Sequence, residues 1–324
     1  MPTISVIIPA YNAERTILET IESVRQQTFS DFELVIINDG STDKTLALVS
    51  AINDPRLRVV SYENGGLSVA RNRGIANVSG NFIAFLDADD LWTPDKLELQ
   101  LEALQRQPSA GVAYSWTLNM SEDGQVFHPG AFVHFEGNVL PDLLVSNFIA
   151  NGSNPLIRRQ AIDSIGEFDP SVPPSADWDY WLRLAAKWAF VVVPKPQILY
   201  RHSSSSMSAR IELMEKHNLA VLDRAFQMAP AELQYLKNKS LSNIYQYLAG
   251  MALANVSSSG QLRLAGLKLM QSVYFYPMVL LDKRTLRYFL KWLLMSLLSP
   301  KQARTITSSF GKASSVVDPR VGSS

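Results

Sequence analysis

Over the first ninety residues, apolar runs of strand length alternate with apolar residues at helical spacing, and few folds accommodate that pattern. Residues 4–8 form a short β-branched run closed by Pro9. Ile17, Leu18, Ile21 and Val24 recur at helical spacing, and residues 34–37 form a second apolar run, closed by the turn residues Asn38-Asp39-Gly40-Ser41. Leu46, Val49 and Ile52 again fit a helix. Residues 57–62 read as a strand, Asn64-Gly65-Gly66 as a turn, 67–76 as a helix and 82–86 as a fourth strand. Near-continuous apolar strands separated by helices predict an α/β fold with a mostly parallel sheet covered on both faces. Such sheets bind ligands at the carboxyl ends of their strands, so 9–14, 39–43 and 87–90 are the segments to inspect.

Beyond residue 110 the pattern changes twice. Residues 112–118 and 126–133 read as strands around the turn Glu122-Asp123-Gly124, 177–189 as an aromatic-rich helix, and 190–193 and 197–200 as closing strands. Residues 203–206 are a polar break. From 209 the spacing is helical to about 298, with breaks near Pro230, at 257–260 and at Pro277. The helix pair over 243–276 has the length of one helical-hairpin repeat, but a single unit predicts no solenoid. A helical region over 209–304 and a Ser-rich, disordered tail over 305–324 are expected.

Composition removes several classes of function. The chain has 324 residues, 47% of them hydrophobic and 19% charged, enough for a large core. Thirty basic and thirty acidic side chains give no net charge, whereas a nucleic-acid-coating protein carries a basic excess, so no nucleic-acid partner is expected. With no cysteine, disulfide scaffolds, thiolate zinc sites and cysteine nucleophiles are excluded. The start lacks a basic n-region and no run of about 18 uncharged apolar residues occurs, so neither a secretory signal nor a spanning helix is expected.

The chemistry concentrates in Asp87-Ala88-Asp89-Asp90, three carboxylates at the end of a buried strand. In extended chain, residues i and i+2 share a face, so Asp87 and Asp89 can address one site. Like charges this close repel unless a cation or proton intervenes, and hard cations such as Mg²⁺ or Mn²⁺ take a few carboxylates together with phosphate oxygens. The alternative is that these acids cap the next helix, but Thr93-Pro94 already offers a cap followed by a helix-starting proline.

At this point the chain resembles the family 2 glycosyltransferases. Ile4-Ser-Val-Ile-Ile-Pro-Ala-Tyr-Asn12 with Glu14 is similar to their first strand and loop, and Val35-Ile-Ile-Asn-Asp39-Gly-Ser-Thr-Asp43 to their second. Gly66-Leu-Ser-Val-Ala-Arg71-Asn72 with Gly74 resembles their third helix, and Phe85-Leu-Asp87-Ala-Asp89-Asp90 their D-x-D segment. Gly166-Glu-Phe-Asp169 and Asp177-Trp-Asp-Tyr-Trp-Leu-Arg183 resemble the acceptor-side motifs. Tyr200-Arg-His202 with Ser206-Met-Ser208 resembles the segment that closes the site.

The resemblance covers roughly residues 3–210. It implies a GT-A fold over 1–208, with 1–110 binding the nucleotide-sugar and 111–208 forming the acceptor side. It further implies inverting, metal-dependent transfer of a sugar from a nucleotide diphosphate sugar, with UDP as the expected nucleotide, to a hydroxyl of a glycan or lipid-linked glycan. On the same basis Pro9, Tyr11 and Glu14 line the nucleotide pocket, Asp39 accepts a hydrogen bond from the base, and Arg71 lies near the diphosphate. Ala88 contacts the donor, Asp87 contacts the ribose or a metal-bound water, and Asp89 ligates Mn²⁺ or Mg²⁺ directly. His202 is a further metal ligand or diphosphate contact. Plainer roles remain open: sheet-edge packing for Tyr11, a turn with Gly40 for Asp39, helix-dipole complementation for Glu14, a solvated charge for Arg71, and an ordinary surface or core position for His202.

Inverting transfer needs a carboxylate base for the acceptor hydroxyl. Asp179 stands four residues from Arg183 and can pair with it, whereas Asp177 has no such local partner. The resemblance also selects Asp177, whose alternative role is a helix N-cap. Many relatives carry an acid just before it; here that position is Ala176. Trp178, Trp181 and Trp188 fit a buried helix face, with sugar stacking as a lesser alternative.

Two other functions compete: a nucleotidyltransferase, against which stands the absence of a Gly-rich basic loop after the first strand, and a non-catalytic binding or scaffold module. Finally, the segment 282–299 carries Leu286, Phe289, Leu290, Leu293, Leu294 and Leu297 beside Tyr288, Trp292 and Met295, with a basic stripe at Arg284, Arg287 and Lys291. It predicts either internal or self-association or a peripheral contact with an anionic membrane. A cytoplasmic protein, peripheral at the inner face of the cell membrane, is the corresponding expectation.

Overall fold

The structure is a computed structural model and describes residues 1–125, 127–202, 210–254, 256 and 258–297. The Ser206-Met-Ser208 motif and the expected disordered tail lie outside those residues.

Three strands, β1 (Ile4–Ala10), β2 (Phe32–Asp39) and β3 (Leu57–Tyr62), are separated by the helices α1 (Ile17–Arg25) and α2 (Thr45–Ser50). Helix α3 (Leu67–Ala76) leads to β4 (Phe82–Phe85). A short β5 (Leu91–Trp92), α4 (Lys96–Arg106), β6 (Ala110–Met120), β7 (Phe127–Pro129), α5 (Leu140–Val145), β8 (Leu156–Arg158), α6 (Arg159–Ile165), α7 (Ala176–Ala185) and β9 (Ala189–Arg201) follow. The sheet order is β3-β2-β1-β4-β8-β6-β9-β5, with β7 on β6. The long ladders β1·β2, β1·β4, β2·β3 and β6·β9 are parallel; the antiparallel pairings of β8, β5 and β7 span two or three residues each. This is the mixed α/β, mostly parallel sheet expected.

Every residue of β1 is buried, as are all of β4 and seven of the eight in β2, which is why these strands carry no alternation. Ile17, Ile21 and Val24 of α1 and Leu97, Leu101 and Leu104 of α4 close one core with Ile4, Val6, Ile8, Leu34 and Ile36.

Four expectations need correction. Of the strand expected over 126–133, the described residues form one at Phe127–Pro129, on β6, and residues 130–133 leave it. The predicted helix over 177–189 ends at Ala185, and the two closing strands are one long β9, whose register on β6 shifts beside Pro194 and Pro196, where the ladder loses donors. Thr93-Pro94 does not cap α4. The residue before that helix is Asp95, which makes no side-chain cap and instead accepts from Thr93 Oγ1 at 2.9 Å.

The residues group into two compact units. One holds 1–143 with 147–202, the other 144–146 with the helical part after residue 203. In the second, α8 (Ile211–Met228), α9 (Lys237–Ala254), α10 (Ser259–Phe275) and α11 (Lys283–Leu297) are broken at Pro230, Ser258 and Pro277. Ser258 caps α10 by accepting from Gln261 N. Ala252, Leu253 and Ala265 form its core, with Tyr288, Trp292 and Met295 packed against them. No helix among the described residues is long and apolar enough to cross a membrane.

Candidate active site

Because β2, β1 and β4 are parallel neighbours, their carboxyl ends share one edge, and the loops that follow them meet there. The loops after β1 and β2 are laced together. Asn12, with φ of 49°, accepts from Thr42 N at 2.8 Å through Oδ1 and donates through its own N to Ser41 Oγ at 3.1 Å. Asparagine is among the few residues that tolerate this backbone region. Glu14 Oε2 accepts from Lys44 N at 3.0 Å, and Glu14 N donates to Asp43 Oδ2 at 3.1 Å. Pro9 is buried within β1, while Tyr11 stands out from the edge with 53% of its surface exposed.

Helix α3 supplies two cations to two strand ends. Arg73 Nη1 lies 2.8 Å from Asp39 Oδ1, and Asp39 also accepts from Gly65 N at 3.0 Å and Gly66 N at 2.8 Å. The buried Asp39 therefore holds the β3–α3 turn, a larger structural task than a turn with Gly40. Arg71, itself buried, reaches the end of β4, where its Nη2 is 2.6 Å from Asp87 Oδ1. Its Nε is buried and has no acceptor among the described residues. Arg71 is therefore not a solvated charge.

The acidic segment has three distinct environments. Asp87 is half-buried and pairs with Arg71. The Asp89 carboxyl is pushed up to about 6, first by burial and then by the negative charge of Asp87. Asp90 is fully buried: Oδ2 accepts from Ser153 Oγ at 2.6 Å and Oδ1 from Arg201 N at 2.9 Å, while burial and its two acidic neighbours raise its carboxyl far above the ordinary range. Asp90 thus has a structural role that the local sequence assigns to none of the three acids. The carbonyl of Ala88 accepts from Thr16 Oγ1 at 2.8 Å and Thr20 Oγ1 at 3.0 Å, tying the segment to α1.

Across the site, Asp177 lies in the first turn of α7, after Ser175 at the N-cap position, so it is not the cap itself. Its carboxyl is pushed up to about 6 by burial, against the lowering effects of the Arg71 charge, Trp178 N at 2.7 Å and Asn147 Nδ2 at 3.4 Å, while the Asp87 charge adds a smaller raising effect. Asp177 therefore shares the field of Arg71 and Asp87. Asp179 instead pairs with Arg183 at 2.9 Å. Trp178 and Trp181 are buried and Trp188 is partly buried. His202 is exposed, with Nε2 2.9 Å from Asn119 Oδ1 and its ring edge-on to Tyr200.

No group of three or more metal-ligating side chains is assembled among the described residues, so His202 is not brought into a cluster with the acids. The donors present are nevertheless hard carboxylate oxygens, and beyond the effect of burial the charge of Asp87 disfavours ionisation of Asp89, a repulsion that a cation relieves. Such a set fits Mn²⁺ or Mg²⁺ sharing its coordination with phosphate oxygens rather than a full protein cage.

Sequence reasoning missed the loop 147–154 and Arg201. Asn147 touches Asp177, Ser153 Oγ accepts from Asp87 N at 3.0 Å, and a Cβ on Gly152 would lie 2.1 Å from Arg71 Nη2. Arg201 donates from Nε to Asp89 O at 2.8 Å and from Nη2 to Glu19 Oε2 at 2.7 Å. The available signal was the polar run Asn151-Gly-Ser-Asn154 amid apolar chain.

The sequence profile of the family described as glycosyltransferase like family 2 matches residues 5–250. The hyaluronan synthase of Pasteurella multocida is 27% identical over 231 residues, which is 69% of this chain but 23% of that protein, so the chain spans about a quarter of that relative. Among solved structures, the mannosyltransferase PcManGT from Pyrobaculum calidifontis in complex with GDP-Man and Mn²⁺ superposes with a TM-score of 0.60 at 19% identity, covering 95% of this chain and 83% of that one. S. aureus TarS in complex with UDP-GlcNAc gives 0.55 at 19% identity, covering 86% and 90%. Both share the fold.

Proposed function

The chain belongs to the glycosyltransferase-like family 2, and on that premise we propose that it transfers a sugar, with inversion and with a divalent cation, from a UDP-sugar to a hydroxyl of a glycan or lipid-linked glycan in polysaccharide biosynthesis. The observation that carries the reading is the placement of Asp177, its carboxyl pushed up to about 6 by burial, in the field of Arg71 and of Asp87 at the end of β4. The UDP-GlcNAc in TarS and the Mn²⁺ in PcManGT support the donor class and the metal.

In this reading Pro9, Tyr11 and Glu14 line the nucleotide pocket, with the exposed Tyr11 ring offered to the base. Asp39 accepts from the base; a carboxylate has about four acceptor positions, and three donors already use it. Arg71 turns its unpartnered Nε toward the diphosphate. Asp87 and Ala88 bound the ribose side, and Asp89 and Asp87 would hold Mn²⁺ or Mg²⁺, with His202 as a further metal ligand or diphosphate contact. The cation held there would supply charge neutralisation for the departing diphosphate. Asp177 takes the acceptor proton as the hydroxyl oxygen bonds to the anomeric carbon. The carbon–oxygen bond to phosphate breaks with its electron pair leaving on the diphosphate. The reaction takes place in the cytoplasm, at the inner face of the cell membrane, with residues 1–208 as the transferase unit.

The test is incubation of the purified protein with UDP-sugars and Mn²⁺ without acceptor. Slow release of UDP and free sugar is expected. Release of UMP or pyrophosphate would indicate nucleotidyl chemistry, and absence of both binding and turnover across the donors would favour a non-catalytic module.

A further inference from the structure

Helix α11 has two apolar faces, and among the described residues only one is packed against the helical core. Tyr288, Trp292 and Met295 pack on the core of the helical unit, with Trp292 Nε1 donating to Leu262 O at 3.0 Å. The other face carries Leu286, Leu290, Leu293 and Leu297 at successive spacings of four, three and four, and these side chains are 52%, 47%, 48% and 74% exposed. Leu267, Met270 and Tyr274 make a second exposed stripe along α10, and the turn between the two helices exposes Met278 and Leu281. Exposed apolar surface on this scale marks an interaction site.

Charge identifies the occupant. From residue 282 to the end the sequence holds eight lysines and arginines against two aspartates, a net +6, so the preceding 281 residues carry −6 in a chain that is neutral as a whole. On α11, Lys283 and Arg287 are exposed beside the leucines, and Lys291 is partly exposed. A second copy docked on this face would oppose like charges. The segment 298–324 is itself basic, with Lys301, Arg304, Lys312 and Arg320 against Asp318, and does not complement the stripe either. A nucleic acid would satisfy the cations but offers no apolar medium for the leucines. We infer that the Leu286–Leu290–Leu293–Leu297 stripe is a docking face for an anionic lipid bilayer, the leucines entering the acyl boundary while Lys283 and Arg287 meet acidic headgroups.

Flotation of the full chain with phosphatidylcholine vesicles containing 0 or about 30% phosphatidylglycerol tests this, at low salt and at about 0.5 M salt, where charge contacts are screened. Binding is expected to the anionic vesicles and to weaken with salt. It is expected to fall about tenfold or more in Leu290→Gln/Leu293→Gln and separately in Lys283→Glu/Arg287→Glu, whose exposed positions leave the circular dichroism unchanged. Binding unaffected by both variants would overturn the assignment. So would a dimer in light scattering that the leucine variant dissociates without any vesicle binding, and so would binding that appears only after removal of residues 298–324. Donor hydrolysis by the same variants is unaffected, so failure here and failure of the transferase reading are separable.

Discussion

Two half-buried carboxyls, Asp89 and Asp177, are both pushed up to about 6 by burial, and this gives the site its pH behaviour. Asp177 must be ionised to take a proton, so kcat/KM is expected to fall as pH drops through about 6. Asp177→Asn is expected to retain donor affinity and lose about 10²-fold or more in turnover; turnover within a few-fold of wild type would move the base elsewhere, with Asp179 next. The stability effect has the opposite sign. A carboxyl raised from 3.8 to about 6 stabilises the folded state relative to ionisation only at low pH, and that contribution is lost as pH rises through 6. Asp177→Asn should therefore have the higher Tm at about pH 8, an advantage that vanishes below about pH 4. For Asp89, replacement by Ala is expected to abolish Mn²⁺-dependent binding of UDP in calorimetric titration. Undiminished affinity would remove Asp89 as a ligand.

The loop 147–154 and helix α3 act as elements rather than as single contacts. Two arginines on α3 divide between the ends of β2 and β4, and the loop presses its backbone against one of them. Gly152→Ala is the sharpest probe, because its Cβ would lie 2.1 Å from Arg71 Nη2 and displace the guanidinium from Asp87. Such a displacement is expected to lower kcat/KM about 10²-fold. The overpacking costs about 1–3 kcal/mol, which urea unfolding would register separately. Activity within about threefold of wild type would show that the Arg71–Asp87 contact is not used. The strand β9 shows the same dependence on neighbours. Its two prolines suggest two strands in sequence, but the ladder with β6 absorbs them as shifts of register.

For the molecule as a whole, the parallel strands of the first unit place the loops of three strand ends on one edge, and a donor bound there links ligand affinity to folding. With UDP-sugar at about 100 times its Kd, the folded state gains about 2.7 kcal/mol. A rise in Tm that requires both UDP-sugar and Mn²⁺, and that is absent in Asp89→Ala, is the expected result of a thermal-shift screen across nucleotide-sugars. A rise with sugar nucleotide alone would dissociate the metal from donor binding. The division of charge along the chain belongs to this scale too, since a neutral total conceals a basic end on the helical unit.

Strand and helix order in the first hundred residues followed from period alone, because strands buried on both faces leave uninterrupted apolar runs and helices leave three- and four-residue spacings. The residues at the strand ends were legible for the same reason. Topology puts ligand chemistry there, and the carboxylates of Asp87-Ala88-Asp89-Asp90 repel one another unless a cation or a proton intervenes. What the tertiary structure decided is who touches whom. Asp90 turns inward because Ser153 and Arg201, distant in sequence by 63 and 111 residues, offer it donors. Asp39 is occupied by Arg73 and by the backbone N–H groups of Gly65 and Gly66 in the turn after β3. Among the described residues of 127–133, the ladder with β6 covers Phe127–Pro129 and ends before Val133. The two apolar faces of α11 look alike in sequence, and only the core formed with α9 and α10 selects the one carrying Trp292 for burial and leaves the leucines outside. Periodicity is a property of the chain alone, whereas hydrogen-bond partners and the choice between equally apolar faces depend on long-range packing.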